Sequence, residues 1–366
     1  MRTVLICGAG IAGSTLAYWL ARHGFEPTVV ERSPGLRSSG NPVDVRGPAL
    51  PVVAAMDVMP RLREVATRVI RLRVFDAAGR QVATVAMPAA KGDEVEVPRA
   101  DLATVLYQAA RDDAEFLFDE TITALQQDER GVDVTFDRAP PRRFDLVIGA
   151  DGLHSAVRRL AFGPEPDFAR PLGMYVATVP FHEPAEYPED VLVHNTPDRM
   201  VAIHPGSGQA GAAFIFRSAT RGVEARDTER QKRFVTDVYA GARWRVPELL
   251  ARLADTDDLF FDAVSLVDLP RWSHGRIALV GDAASCVSLL GEGSSLAIAG
   301  AHTLAASLAE QPADHAEALR HYESVHRARV KPKQRGVHLS AAVLVPKTRF
   351  GIAARNLVAK VVPGFG

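Results

Sequence analysis

Three glycines and one acid near the amino end have the types and spacing to hold a phosphate-bearing ligand. In VLICGAGIAGSTLAYWLARHGFEPTVVE, residues 4–31, glycines stand at Gly8, Gly10 and Gly13 with Ala12 among them. Glu31 closes the next apolar run, and Arg32 follows it. Gly8 permits a tight turn, Gly10 lets the backbone approach a pyrophosphate, and Gly13 lets a helix lie close on a strand. The helix turns its positive N-terminus toward the phosphates. Glu31 stands at the spacing of an acid that takes a ribose hydroxyl. This chemistry is capture of the ADP half of a dinucleotide, and the motif alone does not decide between NAD and FAD. A second match, GSGQAG with Gly206, Gly208 and Gly211, lies between alternating strands with no helix after it. It reads as a hairpin turn.

Two further segments carry polar groups on glycine turns. Gly149-Ala150-Asp151-Gly152, followed by Ser155 and Arg158, suits contacts near a pyrophosphate, or else a strand–turn–helix capped by Asp or Ser. In LVGDAASCVSLLGEGSSLAIAGA a buried strand ends at Asp282, and a glycine-spaced loop leads to a helix at Gly293 and Ser294. Asp282 is placed to accept hydrogen bonds from a polyol such as a ribityl chain, and the helix N-terminus to face an anionic ring. A capped structural helix is the alternative reading. No nucleophile–His–Asp set and no metal-ligand spacing is present, so no catalytic residue and no metal is assigned.

Positioning these groups takes an α/β fold. Strands predicted near 115–119, 131–136 and 144–149 lead into the second glycine turn. From 171 to 218 the pattern changes to short alternating strands, the signature of an antiparallel sheet. Helical segments follow around 226–254, 294–310 and 312–335. The expected architecture is a Rossmann-like, dinucleotide-binding domain from 1–76, 100–170 and 262–330. A mostly antiparallel substrate domain from 77–99 and 171–261 is inserted into it, and 331–366 form a basic C-terminal helix or tail. With 366 residues, 47% hydrophobic and 24% charged, the chain suits a two-domain globular enzyme. A net charge of -1 argues against nucleic acid as a partner. Two distant cysteines and an amino-terminal apolar run only one strand long suit a reducing cytoplasm. From Ser324 onward there are nine Lys and Arg and no Asp or Glu. That tail reads as a helix docked across an acidic surface, or as a contact with anionic lipid or a partner.

Taken together, the three segments resemble the FAD-dependent aromatic monooxygenases of the para-hydroxybenzoate hydroxylase type. The likeness is nearest to the compact tetracycline-inactivating members, and it covers nearly the whole chain in order. The resemblance implies FAD as resident cofactor and NADPH or NADH as transient co-substrate. It also implies O2 and a small aromatic or polycyclic phenol or enol, hydroxylated through a flavin C(4a)-hydroperoxide, by a monomer or homodimer. It implies that the first motif holds ADP, that 149–158 serve FAD and the nicotinamide nucleotide, and that 281–295 hold the ribityl and flavin region. Arg37 resembles an arginine assigned to NADPH, with Arg46 beside the same surface. Asp44, Arg99 and Asp282 resemble flavin-contacting residues. The chain departs from the family at Ser285, Val287, Ser288 and Leu289, where His and prolines are usual, and at Glu292, where Gln is common. Substrate would sit between flavin and inserted sheet, near His194, Met200, His204, Phe214, Phe216 and Arg217. The rival readings are a prenyl-chain saturase or dehydrogenase on the same scaffold, and a non-catalytic ligand-binding protein. The basic apolar tail suits a lipid substrate for the saturase.

Overall fold

Apolar residues almost throughout TVLIC suit a strand covered on both faces, and this segment is β1 (Thr3–Cys7). The computed structural model describes residues 2–36, 42–87, 92–181, 183–206, 210–220, 222–223, 227–286 and 292–361. After β1 come α1 (Ile11–Arg22), β2 (Glu26–Glu31), β3 (Pro42–Val45), α2 (Leu50–Ala55), α3 (Met59–Glu64), β4 (Arg71–Phe75), β5 (Gln81–Ala86), β6 (Val95–Pro98) and α4 (Arg99–Ala110). Then follow β7 (Glu115–Phe118), β8 (Ile122–Gln127), β9 (Val132–Phe136), β10 (Arg142–Phe144), β11 (Leu146–Gly149) and α5 (Ala156–Ala161). The second half holds β12 (Ala169–Pro180), β13 (Asp190–Thr196), β14 (Arg199–His204), β15 (Gly211–Arg217), α6 (Thr228–Val238), α7 (Val246–Asp255) and β16 (Phe260–Val267). It ends with β17 (Ser273–His274), β18 (Ile277–Leu279), α8 (Asp282–Ser285), α9 (Glu292–Glu310), α10 (His315–Leu344) and α11 (Arg349–Val361).

β18, β11, β1, β2 and β7 lie side by side in parallel, with β17 antiparallel outside β18. Their register decides the site. Cys7 stands opposite Gly149, and Gly149 opposite Leu279. The three glycine-bearing turns therefore leave the sheet at one level on its carboxyl edge, where open α/β sheets hold ligands. α1 packs against both α9 and α4 over this sheet, and the fully buried Leu5, Ile6, Leu16, Leu20 and Leu102 form its core.

The second sheet has the order β16-β12-β15-β14-β13-β4-β5. Its back face carries Phe214, Phe216, Val201 and Ile203, packed on Val235, Tyr239, Leu249 and Leu253 of the α6–α7 segment. Its front face carries Met174, Val191, Val193 and Met200, covered in part by Ala341 and Val345 at the end of α10. The second glycine match joins β14 to β15, which pair antiparallel with His204 opposite Gly211, so it is a hairpin connection; Gly208 lies outside the described residues.

Strand pairing divides the chain differently from the sequence pattern. β4, expected in the first domain, pairs in parallel with β13. β6, expected in the second, pairs with β3, and β16 stays with β12 through Val267. Alternation reveals a strand but not its partner. The tail also differs. α10 continues through Pro332 to Leu344 instead of ending near 335, and α11 follows. Arg217 holds the end of α10, donating from Nε to the Val345 carbonyl at 3.0 Å and from Nη2 to that of Ala341 at 2.7 Å. The last turn's unpaired carbonyls gain a cationic partner in this way.

Candidate active site

At the first turn Gly8 has φ +104°, and a Cβ there would lie 2.6 Å from the Ala150 carbonyl oxygen. A Cβ on Gly13 would lie 1.8 Å from the Gly8 carbonyl oxygen. A Cβ on Gly281, at φ +65°, would lie 2.9 Å from that of Ala12. The three glycine segments thus pack directly on one another, and no side chain fits between them. Gly10 differs: a Cβ there meets nothing within 4 Å. It is the N-cap of α1, whose first turn has no side-chain cap and no acid, so its amides stay available for an anion. Glu31 is held at the end of β2 by the Ala9 and Ser33 amides, each donating at 3.0 Å. Arg32 beyond it is exposed.

The second segment is largely occupied by its own backbone. Asp151 accepts from the Ser155 hydroxyl and from the Ala156 and Val157 amides at 2.7 and 3.1 Å. Ser155 in turn accepts from the Arg158 amide at 2.9 Å. Together they cap α5. Arg158, expected near a pyrophosphate, is instead fully buried. Its Nη1 donates to the Ala283 carbonyl at 3.0 Å and its Nη2 to that of Leu153 at 2.5 Å. It ties the second glycine segment to the third. Between them and the inserted sheet, His154 is held by Glu165 at 2.9 Å and Asp262 of β16 at 3.1 Å. Those two carboxylates, Asp262 foremost, push the imidazole pKa up to about 10.

In the third segment burial raises the Asp282 carboxyl above its usual range, and the Asp262 charge adds to this against the opposing charge of Arg99. Arg99 starts α4 half-buried and has no hydrogen-bond or ion-pair partner among the described residues. Gly293 and the buried Ser294 begin α9 beside Asp282. Ser295, which the sequence reading passed over, accepts from the Arg46 amide at 3.0 Å and donates to the Asp44 carbonyl at 2.8 Å. It pins the end of β3 to α9. Arg46 bridges Asp44 at 3.5 Å and Glu292 at 3.3 Å, and Lys333 reaches Glu292 at 2.6 Å. The departure at Glu292 therefore has a partner from α10. Arg37 and the altered loop at 287–291 lie outside the described residues.

Asp44 stands directly across from Glu96 in the β3–β6 pair. Burial, chiefly, raises the Asp44 carboxyl; Arg46 opposes it, and Glu96, Glu94 and Glu292 add to it. Burial would raise Glu96 as well, but His204 and Thr67 outweigh it and hold that carboxyl low. The His204 Nε2 lies 3.5 Å from Glu96, whose same oxygen accepts from the Thr67 hydroxyl at 2.5 Å.

Of the six substrate-side candidates, the structure turns three away. Phe214 and Phe216 are fully buried in the back-face core against Tyr239. His194 stacks on Trp244 with its ring centroid 5.4 Å away, also behind the sheet. Period-two alternation told which residues share a face but not which face is covered by helices. Met200 is on the front face but packs under Val345, and Arg217 serves α10. His204, two residues along β14 from Ala202, lies 3.5 Å from Glu96, which stands across from Asp44. Glu96 had no signal of its own in the sequence.

An uncapped helix N-terminus, open space at Gly10, an Arg99 unpaired among the described residues and Asp282 line one edge, and these are the donors and acceptors that a pyrophosphate, a ribityl chain and a flavin require. Fold and site together define a flavin-dependent monooxygenase. The chain belongs to the FAD-binding domain family, whose model matches residues 1–334, and FAD is its cofactor. A flavin-dependent monooxygenase of Legionella longbeachae is 33% identical over 349 residues, covering 93% of this chain and 90% of that one. An uncharacterised protein of Mycobacterium tuberculosis is 41% identical over 318 residues, covering 84% and 85%. The crystal structure of the tetracycline destructase Tet(51) superposes with a TM-score of 0.86 at 29% identity, covering 100% of this chain and 98% of that one.

Proposed function

We propose that this monooxygenase uses NADPH or NADH and O2 to hydroxylate an aromatic or polycyclic small molecule bearing a phenol or enol. The observation that carries this reading is the His204–Glu96 pair, in which a histidine of the substrate sheet lies 3.5 Å from a carboxylate that β6 sets across from Asp44 of β3. Bound FAD supplies the electron transfer from nicotinamide to oxygen. The chain's residues do the rest. The Gly8–Gly13 turn and the α1 N-terminus bind the pyrophosphate, Glu31 takes the ribose, and Asp282 with Arg99 holds the ribityl and ring region. The N-terminus of α9 favours negative charge on the ring.

His204 has the geometry of a base. Its Nε2 lies 3.5 Å from Glu96, and among the described residues Nδ1 accepts only from the Gly206 amide, at 3.4 Å. Nδ1 can take the proton of a phenol, and the Glu96 carboxylate stabilises the imidazolium that forms. The resulting phenolate is the electron-rich partner that hydroxylation needs. Arg46, held between Asp44 and Glu292, offers its guanidinium to the nicotinamide nucleotide's phosphates.

The test is oxygen uptake and NAD(P)H oxidation by the yellow holoenzyme against a panel of phenols and enols, tetracyclines included because a structural neighbour is a tetracycline destructase. The expected product carries one atom of labelled oxygen from labelled O2. NAD(P)H oxidation that no panel member stimulates, or a product without label, overturns the proposal; unlabelled dehydrogenated product would favour a dehydrogenase.

A further inference from the structure

The far end of the chain carries a surface that the reaction does not use. α11 packs its inner side on β5 and β13. There Arg355 donates to Asn195 at 2.9 Å and to the Val343 and Leu344 carbonyls at 3.4 Å. The outer side is apolar. Phe350 is 83% exposed and Leu357 65% exposed, with exposed Ala353 between them. Positions 350, 353 and 357 share one stripe of a helix. Leu339, near the end of α10, is 72% exposed, and β5 itself exposes Val82. A helix docked for stability alone would bury the phenyl and isobutyl groups and expose the arginine. α11 does the reverse, and an aligned exposed apolar stripe marks an interaction surface.

Charge selects the partner. Residues 324–366 hold nine Lys and Arg and no acid, whereas residues 1–323 hold 34 basic and 44 acidic residues. Lys347 and Arg349 are exposed at the start of the stripe, and Lys331 and Arg335 on α10. The acids beside this segment are already engaged: Asp198 faces Arg217 at 3.8 Å and its amide donates to the Pro346 carbonyl at 3.0 Å, Glu292 holds Lys333 at 2.6 Å, and Glu323 holds Arg327 at 2.6 Å. A two-fold contact with a second copy would set one basic tail against another. No described helix is long and apolar enough to cross a bilayer. An apolar stripe flanked by cations is instead the complement of an anionic lipid surface, with Phe350 and Leu357 at the acyl boundary and the cations among headgroups.

We propose that α11, with the end of α10, is an interfacial anchor that seats the enzyme on an anionic bilayer. The anchor lies against the same sheet whose front face carries His204, so docking holds the substrate face near a membrane in which flat apolar molecules dissolve.

The experiment is sedimentation of full-length holoenzyme with vesicles of phosphatidylcholine alone or mixed with phosphatidylglycerol. Binding is expected only to the mixed vesicles, weakening at about 0.5 M salt as exposed charges are screened. The double variants Phe350→Ser/Leu357→Ser and Lys347→Glu/Arg349→Glu each lower partitioning by on the order of tenfold or more. Their flavin content stays that of the wild type, which reports an intact fold. Equal binding to both vesicle types, or none to either, overturns the proposal. So does a dimer in sedimentation velocity that the Phe350→Ser/Leu357→Ser variant dissolves, because the stripe would then belong to a second copy.

Discussion

Two alanines placed three residues apart at the start of α1 should fail in different ways. At Gly13 an added methyl would stand 1.8 Å from the Gly8 carbonyl oxygen, and both atoms belong to backbone. Ordinary contact needs about 3.3 Å, so the turn must open by about 1.5 Å, at a cost of at least about 1–3 kcal/mol. At Gly10 the same methyl meets nothing within 4 Å, and the backbone at φ -73° is open to any residue. Alanine there loses about 0.4–1 kcal/mol less chain entropy on folding but is a poorer N-cap by a similar amount. The two effects nearly cancel. The Gly10→Ala apoprotein should therefore melt within about 3 °C of the wild type. Its methyl does occupy the approach to the α1 amides, so FAD affinity should fall by on the order of tenfold or more. Gly13→Ala should lose both flavin and melting temperature. The assay is flavin-to-protein absorbance after dialysis, with calorimetry of both apoproteins. Wild-type FAD retention in Gly10→Ala would refute the placement of the pyrophosphate at this helix N-terminus.

Three further outcomes follow from the site. Arg158→Met leaves the Ala283 and Leu153 carbonyls without their buried partner. It should cost about 2–4 kcal/mol, seen as a fall in melting temperature of about 3–5 °C; an unchanged melting temperature would show that other groups satisfy those carbonyls. His154 is pushed up to about 10 by Asp262 and Glu165. A folded pKa raised above the unfolded one gives stability that is complete below about pH 6.5 and lost as pH rises through about 10. His154→Gln should thus flatten the alkaline fall in melting temperature by about 2 °C, the pair being half-exposed and limited to about 1 kcal/mol. Matching alkaline slopes in the two proteins would rule this out. His204→Ala and Glu96→Gln should each lower substrate-stimulated oxygen uptake by about a hundredfold while flavin content holds. A loss confined to flavin content would instead make the pair structural.

The glycine edge was legible in the sequence because its determinants are local. Gly8, Gly10 and Gly13 fix one turn, and the runs before Gly149 and Gly281 are strands by composition alone. What sequence could not show is that Cys7, Gly149 and Leu279 share one register, since pairing is non-local. The substrate side was less legible. His194, Phe214 and Phe216 have the alternation of pocket residues, yet α6 and α7 cover the face they share. Glu96 matters only because β6 pairs with β3 and sets it across from Asp44. Asp151 and Arg158 have the chemistry of ligand contacts, and the backbone around them takes it up first.

The shared register of Cys7, Gly149 and Leu279 also has a meaning in time. A ribosome adding about 5–20 residues per second reaches residue 281 only after about 15–55 s. Until then β1 and β11 can pair, but the strand and helix that complete the flavin edge do not yet exist. The flavin edge is thus complete only late in synthesis, on a chain already carrying its inserted sheet. A message truncated before α9 should therefore yield a colourless product, however much of the first motif it encodes.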